Sequence, residues 1–164
     1  MKTGALPLLL VVFSTSSIGC RHSQKALGDS SVQIPAFSVA VKLSKKAQLR
    51  LQDLKESIVV IAYFDGDGER EPGTDTSPMR AVVLGSEERG VNADLVAEFK
   101  GVQAPSSAWK RLSDKNYFVT INTVSARKVV ADNILWCDVP EKHIEEIKRK
   151  TLEVHCELIS EHRY

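Results

Sequence analysis

Apolar and polar positions change places in short runs along most of this chain, and the period of each run predicts its element. In 38–43, Val39, Val41 and Leu43 alternate with smaller or charged residues, as one face of a strand requires. Ser44 is placed to cap a helix over 45–55, where Ala47, Leu51 and Leu54 form one apolar stripe and Lys45, Lys46 and Arg50 stay with solvent. The run 58–64 is apolar throughout and rich in Ile, Val, Tyr and Phe, which predicts a central strand covered on both faces. Segments 80–86 and 95–99 read as strands on either side of a polar turn at Gly90 and Asn92, and 105–112 reads as a short helical turn with Trp109 and Leu112 on one side. Tyr117, Val119 and Ile121 define a strand over 117–124. Leu135, Cys137 and Val139 define another over 134–139.

Pro140 is expected to open a third helix, with Glu141 early, Lys148 to Lys150 late, and Ile144 and Ile147 on its buried side. The cleanest alternation is the last, with Leu152, Val154, Cys156 and Leu158 facing inward. Seven strands and about three short helices, with no regular strand-helix alternation, predict a mainly β fold. The expected architecture is an antiparallel β-sandwich of immunoglobulin-like build, with an α+β sheet as the alternative. A glycine-rich, acidic loop is expected over 65–78, and the polar segment 21–35 reads as a tether.

The N-terminus has a different pattern. Lys2 is followed by a short apolar core over 5–13, broken by Pro7 alone, and then by small residues ending Ser17-Ile18-Gly19-Cys20. That core falls well below the roughly 20 apolar residues that span a bilayer. The ending resembles the lipobox of bacterial lipoproteins, with Ser17 where leucine is usual. The resemblance covers residues 1–20 and implies a signal peptide over 1–19 and acylation of Cys20. Two or three acyl chains would hold the protein on the bilayer effectively permanently. Arg21, rather than Asp, follows the cysteine, and in a Gram-negative host the resemblance then implies the periplasmic face of the outer membrane. The expected organisation is a signal over 1–19, a lipidated tether over 20–37 and one β-rich periplasmic domain over 38–164.

Charge narrows the choice of partners. The chain holds 22 Lys and Arg against 21 Asp and Glu, and loss of Lys2 with the signal leaves the two signs equal. Such balance argues against nucleic acid and against a basic patch on anionic lipid. Three cysteines are present. With Cys20 acylated, Cys137 and Cys156 remain as a pair in an oxidising compartment, and a disulfide between them is expected.

Candidate chemistry is sparse. Asp65, Asp67 and Glu69, with Glu71 and Asp75 beyond, are carboxylates spaced on a glycine-bearing segment, a pattern suited to Ca²⁺, although the spacing is not that of an EF-hand. His143, His155 and His162 lie among glutamates near the C-terminus but match no zinc spacing. There is no nucleophile elbow and no phosphate loop. Trp109 and Trp136 are the aromatic candidates for a binding surface, with core packing the bland alternative for each; strand phase sets Trp136 opposite Cys137, which puts it on the outer sheet face unless a helix covers that face. These features favour a non-enzymatic, lipid-anchored domain that binds an envelope protein or a cell-wall component. An inhibitor or immunity protein using the acidic loop is the second expectation, and a metal-dependent enzyme the third.

Overall fold

Two four-stranded sheets face each other across one apolar core. The structure, a computed structural model, describes residues 30–69 and 81–163. The signal, Cys20, residues 21–29 and the later part of the acidic segment, with Glu71 and Asp75, lie outside the described residues. Among those described, ten strands and three helices follow in chain order. They are β1 (Ser31–Gln33), β2 (Phe37–Leu43), α1 (Lys45–Leu54), β3 (Ile58–Gly68), β4 (Ala81–Gly90), β5 (Val96–Phe99), β6 (Gln103–Pro105), α2 (Ser106–Lys110), β7 (Leu112–Ser125), β8 (Leu135–Cys137), β9 (Glu141–His143), α3 (Ile144–Ile147) and β10 (Thr151–Leu158).

One sheet runs β5-β2-β10-β8, the other β4-β3-β7-β9, and β1 and β6 form a small separate ribbon. The ladders are antiparallel except that β10 lies parallel to β2, Leu152 opposite Val39 and Cys156 opposite Leu43. This is the mainly β sandwich with three short helices that the periodicities predict.

Alternation explains the core. Phe37, Val39 and Val41 of β2, Val60, Ala62 and Phe64 of β3, Val119 and Ile121 of β7, and Val154 and Cys156 of β10 are all buried. Phe37 links the two sheets, stacking on Phe99 with centroids 4.8 Å apart and meeting Phe64 edge-on at 6.3 Å.

Three differences from the sequence reading have local causes. First, the fold begins before residue 38. Ser31–Gln33 pair with Gln103–Pro105, and Ile34 is only 1% exposed, so the tether assigned over 20–37 gives way to structure from Ser30. A three-residue strand is too short to show a period.

Second, β3 continues through Asp65-Gly66-Asp67-Gly68, which the sequence places in a loop. Asp65 pairs with Phe118 and Gly66 with Tyr117 on β7. Gly66 is needed for proximity: a Cβ there would lie 2.8 Å from Leu112 Cδ2 and 3.1 Å from the Asn116 carbonyl oxygen. The glycine that suggests a flexible loop is a close approach of two strands. A bulge on the other side, where Phe64 pairs with Gly85 and Asp65 with Val83, changes the phase of β4 and hides its full length from a periodicity count. Gly85 takes φ +135° there.

Third, Pro140 does not open a helix. Residues Glu141–His143 instead pair with Phe118–Thr120 along the free edge of β7, and the Pro140 carbonyl accepts from the Ile121 amide at 3.0 Å. Proline fits at the start of an edge strand because its missing N–H leaves no ladder bond unmade. Only Ile144–Ile147 are helical.

The ladders give the domain a direction. The described chain enters at Ser30, whose hydroxyl donates to Ser106 Oγ at 3.0 Å, beside the β1-β6 ribbon and next to the Phe37 end of β2. Leu43 lies at the other end of β2, roughly 20 Å away at the usual rise per strand residue. The C-terminal end of β10 is beside it because the pair is parallel. Helix α1, the turn between β4 and β5, and the C-terminal turn all sit at that far end.

Candidate functional site

The far end carries two clefts that share Leu43. The larger, about 540 Å³, lies between α1 and the β4-β5 turn, over Leu51, Ile58 and Leu95 with Gln48 and Gln52 at its rim. The smaller, about 410 Å³, is built around Trp136, Asp138, His155, Glu157 and His162, with Lys42 and Ser44 beside them.

The second cleft brings together Trp136, His155 and His162 with the Cys137–Cys156 pair. Cys137 and Cys156 are opposed in the β8-β10 register and joined by a disulfide, with Cα atoms 4.1 Å apart. Their side chains face the core, so their strand neighbours must face outward. Trp136 is the neighbour on β8 and stands directly opposite Glu157 on β10. It remains 38% exposed. His162 folds over it, ring on ring, with centroids 3.6 Å apart and planes within 15°. Glu157 Oε1 lies 2.8 Å from His162 Nδ1, and since a carboxylate can only accept, that nitrogen carries the proton and donates. Asp138 pairs likewise with His155, Oδ2 to Nδ1 at 3.4 Å. Lys42 pairs with Glu153 at 3.4 Å.

The C-terminal turn that positions His162 is fastened by Glu161. Its Oε2 accepts from the Ser44 hydroxyl at 2.7 Å and from the Leu158 amide at 3.0 Å. The Leu158 amide, then the Ser44 hydroxyl and the Lys46 charge, hold its carboxyl below the usual glutamate range despite some desolvation. Ser44 Oγ also accepts from the Ala47 amide at 3.0 Å as the N-cap of α1. The only hydroxyl among the residues lining this cleft is therefore committed to capping and to Glu161, which leaves it poorly placed to be a nucleophile.

Glu56 fixes the opposite wall of the far end. It is buried, and its carboxylate accepts from the Val129 amide at 2.7 Å, the Ser57 amide at 2.9 Å and the Val130 amide at 3.2 Å. The Val129 amide is the main reason its pKa falls from 4.5 to about 2, against the opposing effect of burial and with help from Ser57, Val130 and Lys128. A depressed carboxyl contributes stability that is complete above its unfolded value and is lost as pH falls through the folded one. In Glu56→Gln an amide NH₂ takes the place of one oxygen and leaves a backbone N–H without its acceptor. The variant should melt lower than the parent near neutrality, on the order of 5 °C for a domain of this size. The gap should narrow below pH 4.5 and close near pH 2. Melting curves between pH 7 and 2 check this, and a gap independent of pH would refute it.

The remaining sequence candidates lie elsewhere. Asp65 and Asp67 point outward from β3, near the end where the chain enters, and Glu69 follows the strand, its amide donating to the Arg111 carbonyl at 3.1 Å. Burial, then the charges of Glu141 and Asp67, raise the Asp65 carboxyl above its usual range. On an extended strand, alternate side chains start roughly 7 Å apart, whereas Ca²⁺ ligands converge to about 2.3–2.6 Å from the ion. Among the described residues, no group of three His, Cys, Asp or Glu side chains is arranged to hold a metal. His143 tilts against Phe118, centroids 4.0 Å apart. Trp109, on α2, meets the buried Tyr117 edge-on at 5.4 Å and packs against the core. The inhibitory loop expected over 65–78 is strand up to Gly68, and its residues 70–78 lie outside the described residues.

What the sequence does not reveal is that His162 covers Trp136. The two are 26 positions apart, and only the return of the C-terminal turn brings them together. The fold defines a disulfide-bonded, two-sheet β-sandwich with an aromatic and charged cleft at one end. Compared with protein-family models, curated proteins and solved structures, the chain finds no match in any of the three.

Proposed function

We propose that this protein is a bacterial envelope lipoprotein, held by acylated Cys20 on the periplasmic face of the outer membrane. Its β-sandwich is a non-enzymatic binding domain for an envelope protein or a cell-wall component. The observation that carries this reading is the direction of the domain. The chain enters the fold at Ser30, and both clefts lie at the opposite end around Leu43. An anchor upstream of Ser30 would turn those clefts away from the bilayer and towards the wall, where a partner can reach them. The commitment of Ser44 to helix capping supports binding over acyl-transfer chemistry.

Two measurements test it. In cells of a Gram-negative host, Cys20→Ser should move the protein from the membrane fraction to the soluble periplasm, and continued membrane retention would remove the anchor. The mature protein, extracted in detergent and immobilised, should enrich one envelope protein or bind isolated cell wall. Gln52→Arg at the far end should reduce that capture several-fold, whereas Lys100→Glu at the near end should leave it unchanged. The reverse pattern would overturn the orientation argument.

A further inference from the structure

We propose that the Trp136 cleft is a saccharide-binding subsite that takes a neutral pyranose ring of a cell-wall glycan. The inference rests on the binding-domain reading above and names the ligand of that domain. Three properties of the cleft lead to it.

The first is a flat aromatic platform at the surface. His162 stacks on the Trp136 indole, and Trp136 remains 38% exposed where it lines the cleft. A pyranose presents a face of C–H bonds that packs on such a surface, while its hydroxyls point outward around the rim. The second property is the rim itself. Asp138 follows directly on the end of β8, Glu157 is the cross-strand partner of Trp136, and His155 and Lys42 complete the surround. These groups supply both acceptors and donors, which hydroxyls need because each gives and receives hydrogen bonds.

The third property is that each charged or imidazole group on the rim already has a side-chain partner, and this selects among amphipathic ligands. Glu157 lies against His162, Asp138 against His155, and Lys42 against Glu153. A cationic ligand would have to compete with those imidazoles for the carboxylates, and an anionic one would have to draw Lys42 from Glu153. A neutral polyhydroxylated ring needs neither exchange. The platform is also firmly seated. The disulfide holds β8 to β10 beneath it, and Glu161 holds the turn that carries His162. Little ordering is left to be done on binding, which favours recognition of a small, weakly gripped unit.

The chain has two tryptophans, and Trp109 is packed against the core at the other end, so indole emission can report on this cleft. The mature protein in detergent is titrated with a β-1,4-linked N-acetylglucosamine tetramer and, separately, with maltotetraose. The expected result is a saturable change in emission with the N-acetylglucosamine tetramer, and a change with maltotetraose alone would overturn the cell-wall assignment. Trp136→Ala should abolish it or weaken it at least tenfold, Trp109→Phe should keep it, and Trp136→Phe should restore part of the affinity, followed by calorimetry. Asp138→Asn and Glu157→Gln provide the second line, each weakening binding about three- to tenfold with the indole in place. A flat titration with both sugars overturns the proposal, and so does a change that survives Trp136→Ala. If the titration is flat while the immobilised protein still captures an envelope protein, only the sugar assignment falls. If neither occurs, the binding-domain reading falls with it.

Discussion

Phe64→Ala should cost about 3–5 kcal/mol, the range for removing a fully buried aromatic side chain whose site cannot collapse. Phe64 is 1% exposed and meets Phe37 edge-on, and Phe37 in turn stacks on Phe99. The three rings bridge the sheets, so truncation removes the β3 ring from a close-packed contact between them. The neighbouring Tyr63 is 42% exposed on the outer face of the same strand, and Tyr63→Ala should cost less than about 1 kcal/mol. Urea unfolding separates the two. The Phe64 variant should show a lower midpoint with an unchanged slope, since the surface exposed on unfolding is nearly the same. Comparable losses at positions 63 and 64 would contradict the assigned strand phase.

Breaking the Cys137–Cys156 bond should cost roughly 3 kcal/mol on the chain-entropy view of a loop this long. For a domain of this size that corresponds to a fall in melting temperature of about 10 °C. The loop runs over 19 positions, and its closure has a local consequence as well. β8 is three residues long and is paired to β10 through only Leu135, Trp136 and Cys137. Without the bond this short strand should fray before the rest of the sheet, carrying Trp136 away from His162. The double variant Cys137→Ser/Cys156→Ser should therefore show a changed indole emission at temperatures where its far-ultraviolet circular dichroism is still native. Melting with and without reductant tests the global part. A protein indifferent to reduction would remove the disulfide from any role in stability.

How much was legible in the sequence depended on element length. β2, α1, β5, α2 and β10 appear within a residue or two of where their periodicity places them, because each presents a full stripe or alternation to the core. Ser44 caps α1 as its side chain and position suggest. The three additional strands, β1, β6 and β9, have three residues each, and such segments acquire extended structure from the edge they meet rather than from their own pattern. β3, β4 and β7 are longer than expected for a related reason. Asp65-Gly66-Asp67-Gly68 has the composition of a turn, yet Gly66 serves the close packing of Leu112 and Tyr117, and pairing on both sides keeps the segment extended.

The candidate site was legible in parts. Strand phase set Trp136 opposite Cys137 but left open whether that face is covered, which the structure answers with Trp136 38% exposed, and the cysteine count pointed to the Cys137–Cys156 pair. The relation between Trp136, His162 and Glu157 could not be read the same way, because Trp136 is remote in sequence from the other two and meets them only through the β8-β10 pairing.

The sequence alone indicated the alternating apolar faces of the longer strands, and with them the mainly β class, along with the cysteine pair and the lipobox-like start. Those follow from local chemistry: the two-residue period of a strand, the reactivity of thiols, and the order of residues around a cysteine. But it placed Ile34 in a tether although it is buried, and Val139 on the Cys137 face although it is 59% exposed beyond the end of β8. The tertiary structure decided which strands are neighbours, that β10 runs parallel to β2, and that both clefts lie opposite the end where the chain enters. Strand pairing depends on closing long loops against a shared core, and that balance is a property of the whole chain rather than of any window within it.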